Sequence, residues 1–245
     1  MDLVFIHNSA AHKETDGPRP IDSTTFYARL GQRIIHILTT QTASGALYEV
    51  DMRLRPSGSS GLLVSSLKSF EKYQREDAWT WEHQALVRAR AVAGDNALAE
   101  EFDAIRKSVL STRRDTQKLK TEVVEMRQKM RSHLTKGSST LEKFDLKHDK
   151  GGIVDIEFLM QYAVLRYGHD HPLLLRWTDN IRISEAMEEV GLVSPKDAYW
   201  LREAYKTFRL ALHQRALQYE SPVTSIRGAD HLSDKVVEIW DRTMR

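Results

Sequence analysis

The chain has 245 residues with 36 basic against 34 acidic side chains, so its net charge of +2 draws it neither to nucleic acid nor to an anionic membrane, and any anion binding must be local. Hydrophobic residues at 41% and charged residues at 29% describe an ordinary soluble globular chain, long enough for one large core or two small ones. Cysteine is absent, which excludes disulfides, thiolate metal sites and cysteine nucleophiles; with no run of about 18 apolar residues and no signal-peptide start in MDLVFIHNS, a cytoplasmic protein is expected.

Met1 to His7 is a short apolar run that predicts a buried strand, followed by a loop from Asn8 to Ile21 carrying Gly17, Pro18 and Pro20. Asp22 to Thr25 offer N-caps for a helix whose apolar face is Phe26, Leu30, Ile34, Ile37 and Leu38. The stretch LYEVDMRLR, Leu47 to Arg55, then reads at the period of a strand, with Tyr48, Val50, Met52 and Leu54 on one face and Glu49, Asp51, Arg53 and Arg55 on the other. An acid and two arginines on one edge suit a cation and a polyphosphate, since the acid binds the ion and each guanidinium forks onto phosphate oxygens. A solvated strand face gives the same alternation.

Beyond the turn at Pro56 to Gly61, Leu62 to Val64 reads as a short strand, Ser65 to Arg75 as a helix, and Ala85 to Ala93, ALVRARAVA, as a strand carrying Arg88 and Arg90 on one face. From Asp95 the texture becomes long amphipathic helices at Asn96 to Leu110, Thr116 to Leu134, Gly152 to Tyr167, Ile181 to Val190, Pro195 to Tyr219 and Leu232 to Thr243, with a flexible linker expected at Thr135 to Asp149. The division expected is a sheet-containing region, 1–94, and a helical domain, 95–245. There is no internal repeat, Walker loop, G-x-G-x-x-G fingerprint, H-E-x-x-H or nucleophile elbow.

Three segments, YEVDMRLRPSGSSG at Tyr48 to Gly61, AWTWEHQALVRARAVAGD at Ala78 to Asp95 and GGIVDIEFLMQY at Gly151 to Tyr162, together resemble the bacterial glutamine synthetase adenylyltransferase family over nearly the whole chain. That family is bifunctional: one nucleotidyltransferase half adenylylates a tyrosine of glutamine synthetase and the other removes the AMP by phosphorolysis. The resemblance implies an α+β fold, a partial nucleotidyltransferase-type sheet region followed by a mainly helical domain, and is nearer to the C-terminal, adenylylating half. It makes Asp2 the second acid of a D-x-D pair and Asp51 a third acid on a later strand. The glycine loop and first acid of the family pattern would precede Met1, so the chain is expected to be a fragment, weakly active or inactive by itself.

The same resemblance implies ATP as substrate and two magnesium ions, roughly 3.5 to 4 Å apart, which neutralise the triphosphate, activate the attacking phenol and stabilise the leaving pyrophosphate. Asp2 would bridge the metals and Asp51 would bind the ion at the tyrosine oxygen; a surface acid paired with Arg53 is the alternative for Asp51. Arg53 and Arg55 would contact the phosphates or brace the acids, and Ser57 and Gly58 lie in a loop whose amides could approach an anion. Arg88 and Arg90 are phosphate candidates, with an ion pair to Glu82 or another acid as the alternative. Asp155 and Glu157, in the first turn of a helix apolar nearly all round, are explained by the helix dipole or by a place in the cleft, and being two apart they do not share a face. Trp79 and Trp81 read as packing. The expected partners are glutamine synthetase and a PII-type signal protein, with no nucleic acid and no membrane. The alternatives are the AMP-removing half and a docking or regulatory module without catalysis.

Overall fold

The computed structural model describes residues 1–10, 13–46, 49–134, 143–225 and 230–245. Leu47 and Tyr48 of the expected strand and residues 135–142 of the expected linker lie outside them. The described chain is α+β and forms two compact units, Met1–Glu82 with Ala91–Ile105, and His83–Arg90 with Arg106–Arg245.

In the first unit β1 (Phe5–His7) pairs in parallel with β4 (Val64–Ser66), with Phe5 opposite Val64 and His7 opposite Ser66. Between them in sequence lie α1 (Ser23–Thr39) and a small antiparallel pair, β2 (Gln41–Thr42) and β3 (Gly45–Ala46). Asp22 caps α1, its Oδ1 accepting the Thr25 N–H at 2.9 Å. The helix turns Gly31 to the strands, where a Cβ would stand 3.1 Å from Val64 Cγ2 and 3.4 Å from Phe5. Of the apolar face expected from periodicity, Phe26, Leu30 and Ile37 are therefore exposed: close approach at the one glycine decided the rotation. Ser66 caps α2 (Leu67–Glu76), which buries Leu67 and Phe70, and Phe70 meets Phe102 at 5.7 Å between ring centroids.

The strand expected at Ala85 to Ala93 does not form. Its first residues continue α3 (Thr80–Val87), and those after Val87 are turn and irregular chain. Two contacts explain the helix. Glu82, in its first turn, reaches back to accept the Trp79 N–H at 2.9 Å, half of a capping box. At the other end the buried Arg106 guanidinium, on α4 (Asn96–Leu110), donates to the carbonyls of Leu86 at 3.1 Å and Val87 at 2.5 Å, and to that of Leu175 at 2.8 Å. A nine-residue apolar run fits either period, and these caps select one.

The second unit is built around α6 (Ile153–Tyr167), which is buried along almost its whole length and contacts α5 (Thr116–Leu134), α7 (Asn180–Glu189), α8 (Pro195–Leu217) and α9 (Asp230–Met244). Residues of the expected linker instead form β5 (Lys143–Asp145), antiparallel to β6 (Val223–Ser225), because Phe144 packs on Phe208 and the Asp145 carboxylate accepts the Lys147 and His148 N–H groups. The turn entering α6 needs glycine at Gly151: φ is +78° there, and a Cβ would lie 2.3 Å from the Ser233 carbonyl oxygen. Asp155 fixes that turn. Its Oδ2 accepts the Gly151 N–H at 2.7 Å and its Oδ1 accepts Arg127 Nε at 2.5 Å and Arg131 Nη2 at 3.2 Å.

The Arg127 and Asp155 side chains are 1% and 2% exposed. Burial lowers the Arg127 pKa and the Asp155 charge raises it again, so removing the acid leaves an uncompensated buried cation. Asp155→Ala is expected to lose about 3–5 kcal/mol of stability in chemical denaturation. A loss below about 1 kcal/mol would contradict a structural role for this pair.

Candidate functional site

Among the described residues 49–55 of the expected strand, pairing is limited to one bridge. Asp51 pairs in parallel with Asp2: the Leu3 N–H donates to Asp51 O at 2.9 Å and the Asp51 N–H donates to Met1 O at 2.9 Å. Residues in register on neighbouring parallel strands carry their side chains on the same face, about 4.8 Å apart along the hydrogen-bonding direction. The backbone thus sets two carboxylates side by side. Past Asp51 the chain bends, because Oδ1 of its own side chain accepts the Arg53 N–H at 2.8 Å, an Asx-type turn that ends strand geometry.

That bend separates the two arginines. Arg53 forks onto Asp51, with Nε 3.0 Å from Oδ1 and 2.8 Å from Oδ2, and Nη2 2.5 Å from Oδ2. Its side chain is 79% exposed against 28% for Asp51. Arg55 turns inward, its guanidinium donating to the carbonyls of Met52 at 2.8 Å, Ser59 at 3.1 Å and Gly61 at 3.3 Å. The turn it fills places Ser57 and Gly58 at positive φ, +62° and +55°. Its amides serve the turn itself: Gly58 N–H donates to Arg55 O at 2.8 Å, Ser60 to Ser57 O at 3.3 Å and Gly61 to Gly58 O at 3.2 Å. Gly61 admits no side chain, since a Cβ would lie 1.8 Å from Pro56 O.

Glu82 anchors this turn. The buried carboxylate accepts the Tyr73 hydroxyl at 2.8 Å and 3.1 Å, while the Ser57 backbone reaches the phenol oxygen. Burial raises the Tyr73 pKa and the hydrogen bond to Glu82 adds to that, so the phenol stays protonated and donates. Tyr73 carried no signal in the sequence beyond its place in a helix. Glu49, a neighbour of Asp51 two residues back, lines one shallow depression together with Asp2, Asp51 and Arg53.

The remaining residues lie in the second unit. Arg88 pairs with Glu157, Arg90 is exposed, and Asp155 is taken up by Arg127, Arg131 and the Gly151 amide. In the first unit Trp79, expected to pack, is 70% exposed. The two arginines beside Asp155 were legible in part: Arg127 continues the Leu119, Val123 stripe of α5 at a spacing of four, and an arginine on a buried stripe needs an acid.

Among the described residues no group of three or more histidines, aspartates or glutamates is gathered to hold a metal. The Asp2 and Asp51 pair nonetheless has the donor chemistry of magnesium, which takes one or two carboxylate oxygens, keeps several waters and completes its shell with substrate phosphates. These two residues would hold the ion, and neighbouring arginine charge suits the phosphates.

Residues 1–105 match the profile of the glutamate-ammonia ligase adenylyltransferase family, and residues 116–222 that of GlnD PII-uridylyltransferase, so both parts of the chain are related to nucleotidyltransferases. The chain is 55% identical over 98% of its length to the bifunctional glutamine synthetase adenylyltransferase/adenylyl-removing enzyme of Pseudomonas putida and 53% identical over 98% to that of Pseudomonas aeruginosa, covering 26% of each. It is 54% identical over 99% of its length to the same enzyme of Hahella chejuensis, covering 25% of it. Residues 1–105 thus belong to the glutamate-ammonia ligase adenylyltransferase family, and the chain spans about a quarter of the length of the curated relatives it matches.

Arg53 holds the Asp51 carboxyl below the usual carboxylate range, first through the guanidinium hydrogen bonds and then through its backbone N–H. A lowered acid contributes stability above the ordinary carboxylate range and loses it as pH falls through the lowered value. In a carboxyl-carbon NMR titration Asp51 should therefore titrate below the ordinary value of about 3.9, and Arg53→Ala should move it upward. An unchanged midpoint in the variant would show that the fork does not hold Asp51 in solution.

Proposed function

We propose that this chain carries part of the catalytic site of an ATP-dependent protein adenylyltransferase that moves AMP to a tyrosine hydroxyl of glutamine synthetase, adjusting nitrogen assimilation in the cytoplasm. The observation that carries the reading is the backbone pairing that sets Asp2 beside Asp51 within the segment matching the adenylyltransferase family. Bound magnesium supplies charge neutralisation at the triphosphate and a lowered pKa at the attacking phenol. Asp2 and Asp51 hold the cation, and Arg53 offers a guanidinium to the phosphates. Arg55 shapes the turn behind it, and Glu82 positions Tyr73 against that turn. The catalytic part corresponds to the sheet-containing region to about residue 94, and the helical region after it contacts glutamine synthetase or a PII-type regulator.

Transfer of the tyrosine oxygen to the α-phosphorus forms the phosphodiester to tyrosine and breaks the bond to the pyrophosphate oxygen, and the phenol proton leaves to solvent. The relatives are also adenylyl-removing enzymes by name, so removal of AMP by phosphate is the second reading. The test uses the full-length protein with ATP, magnesium and glutamine synthetase. Labelled AMP should appear on tyrosine, and Asp51→Ala should lower the rate by at least about a hundredfold. Undiminished transfer in that variant would remove Asp51 from the site. Release of ADP from adenylylated glutamine synthetase and phosphate, lost in the same variant, would assign the chain to the removing reaction.

A further inference from the structure

Arg53 and Arg55 stand on one face in the sequence, two residues apart, yet their surroundings differ. Arg55 is fixed by three backbone carbonyls. The Arg53 guanidinium has hydrogen bonds only to Asp51 among the described residues and is mostly in solvent. Four contacts from Arg53, three from its guanidinium and one from its backbone N–H, fall on the two oxygens of Asp51. A carboxylate offers about four lone-pair positions in all, so a divalent cation and the fork compete for the same oxygens.

The fork is easily displaced. An exposed ion pair in water is weak, because solvent screens both charges and the long side chain loses rotamer freedom in holding its place. Asp2 and Glu49 line the same depression, so a cation entering there meets more negative charge than the Asp51 side chain alone provides. Once released, the guanidinium remains within reach of the cation, tethered two residues from its ligand, with its hydrogen bonds to Asp51 given up. The oxygens of a metal-bound triphosphate would supply an anion with the bidentate geometry that arginine favours.

We propose that Arg53 is a resident counter-ion of the cation site. It fills the Asp51 carboxylate in the absence of metal, gives way to the divalent cation, and turns its guanidinium to the phosphates of the nucleotide. The proposal rests on the metal assignment made above and goes beyond it in giving one side chain opposite effects on two ligands. Arg53 opposes the metal alone and favours the metal with nucleotide, which makes their binding cooperative.

Manganese, added alone to the 245-residue chain and followed by the free-ion electron paramagnetic resonance signal, separates these effects. Arg53→Gln is expected to bind manganese roughly two- to fivefold more tightly than the unsubstituted chain, the range that corresponds to an exposed ion pair. The same variant should bind a fluorescent ATP analogue in the presence of manganese more weakly than the unsubstituted chain does. Asp51→Asn should remove the manganese gain when combined with Arg53→Gln. Equal or weaker manganese binding by Arg53→Gln overturns the counter-ion role alone. Manganese binding that is the same with and without Asp51→Asn overturns the metal assignment itself, and with it this proposal.

Discussion

Two backbone hydrogen bonds, from Leu3 N–H to Asp51 O and from Asp51 N–H to Met1 O, decide what the candidate site contains. They make Asp2 and Asp51 partners in a parallel bridge, and strand geometry puts both carboxylates on one face at close spacing. Side-chain chemistry then follows from register: a shift by one residue would send one acid to the opposite face and leave a single carboxylate. A few residues on, β1 pairs with β4, and α1 packs on that pair through Gly31.

The residues around the bridge divide by what holds them. Arg55, Gly61 and the left-handed pair Ser57 and Gly58 build one tight turn, and Glu82 ties it to α2 and α3 through Tyr73 and the Trp79 amide. Among the described residues the Arg53 guanidinium hydrogen-bonds only to Asp51, and its side chain is mostly in solvent. A rigid turn with one movable cation at its edge is an arrangement that can accept a charged substrate without refolding. In the second unit the burial logic is opposite. Asp155 sits among Arg127, Arg131 and the Gly151 amide with almost no exposure, so its contribution is to fix the entry into α6.

Long helices were legible in the sequence because their apolar stripes run for many turns and their caps are local: α5 begins and ends where its periodicity predicts, and α6 differs by one residue at its start. Two of the shorter elements were not. ALVRARAVA satisfies two periods, and the choice came from Glu82 and from Arg106, the latter about twenty residues away in sequence. LYEVDMRLR alternates as a strand should, yet the Asp51 side chain captures the Arg53 amide and bends the chain, a competition that alternation does not register. The rotation of α1 depended on a glycine against Val64, which is a packing fact. The pairing of Asp2 with Asp51 was implied by family resemblance, whereas the different fates of Arg53 and Arg55 needed coordinates.

In the proposed site Asp2 and Asp51 share one cation. Substoichiometric manganese added to the isotopically labelled chain tests it through paramagnetic broadening of backbone amide resonances. Asp2 and Asp51 should broaden together and first, with Arg53 close behind, ahead of the other amides of the first unit. Broadening that begins at Asp51 without Asp2, or that begins elsewhere in the chain, would contradict the shared site.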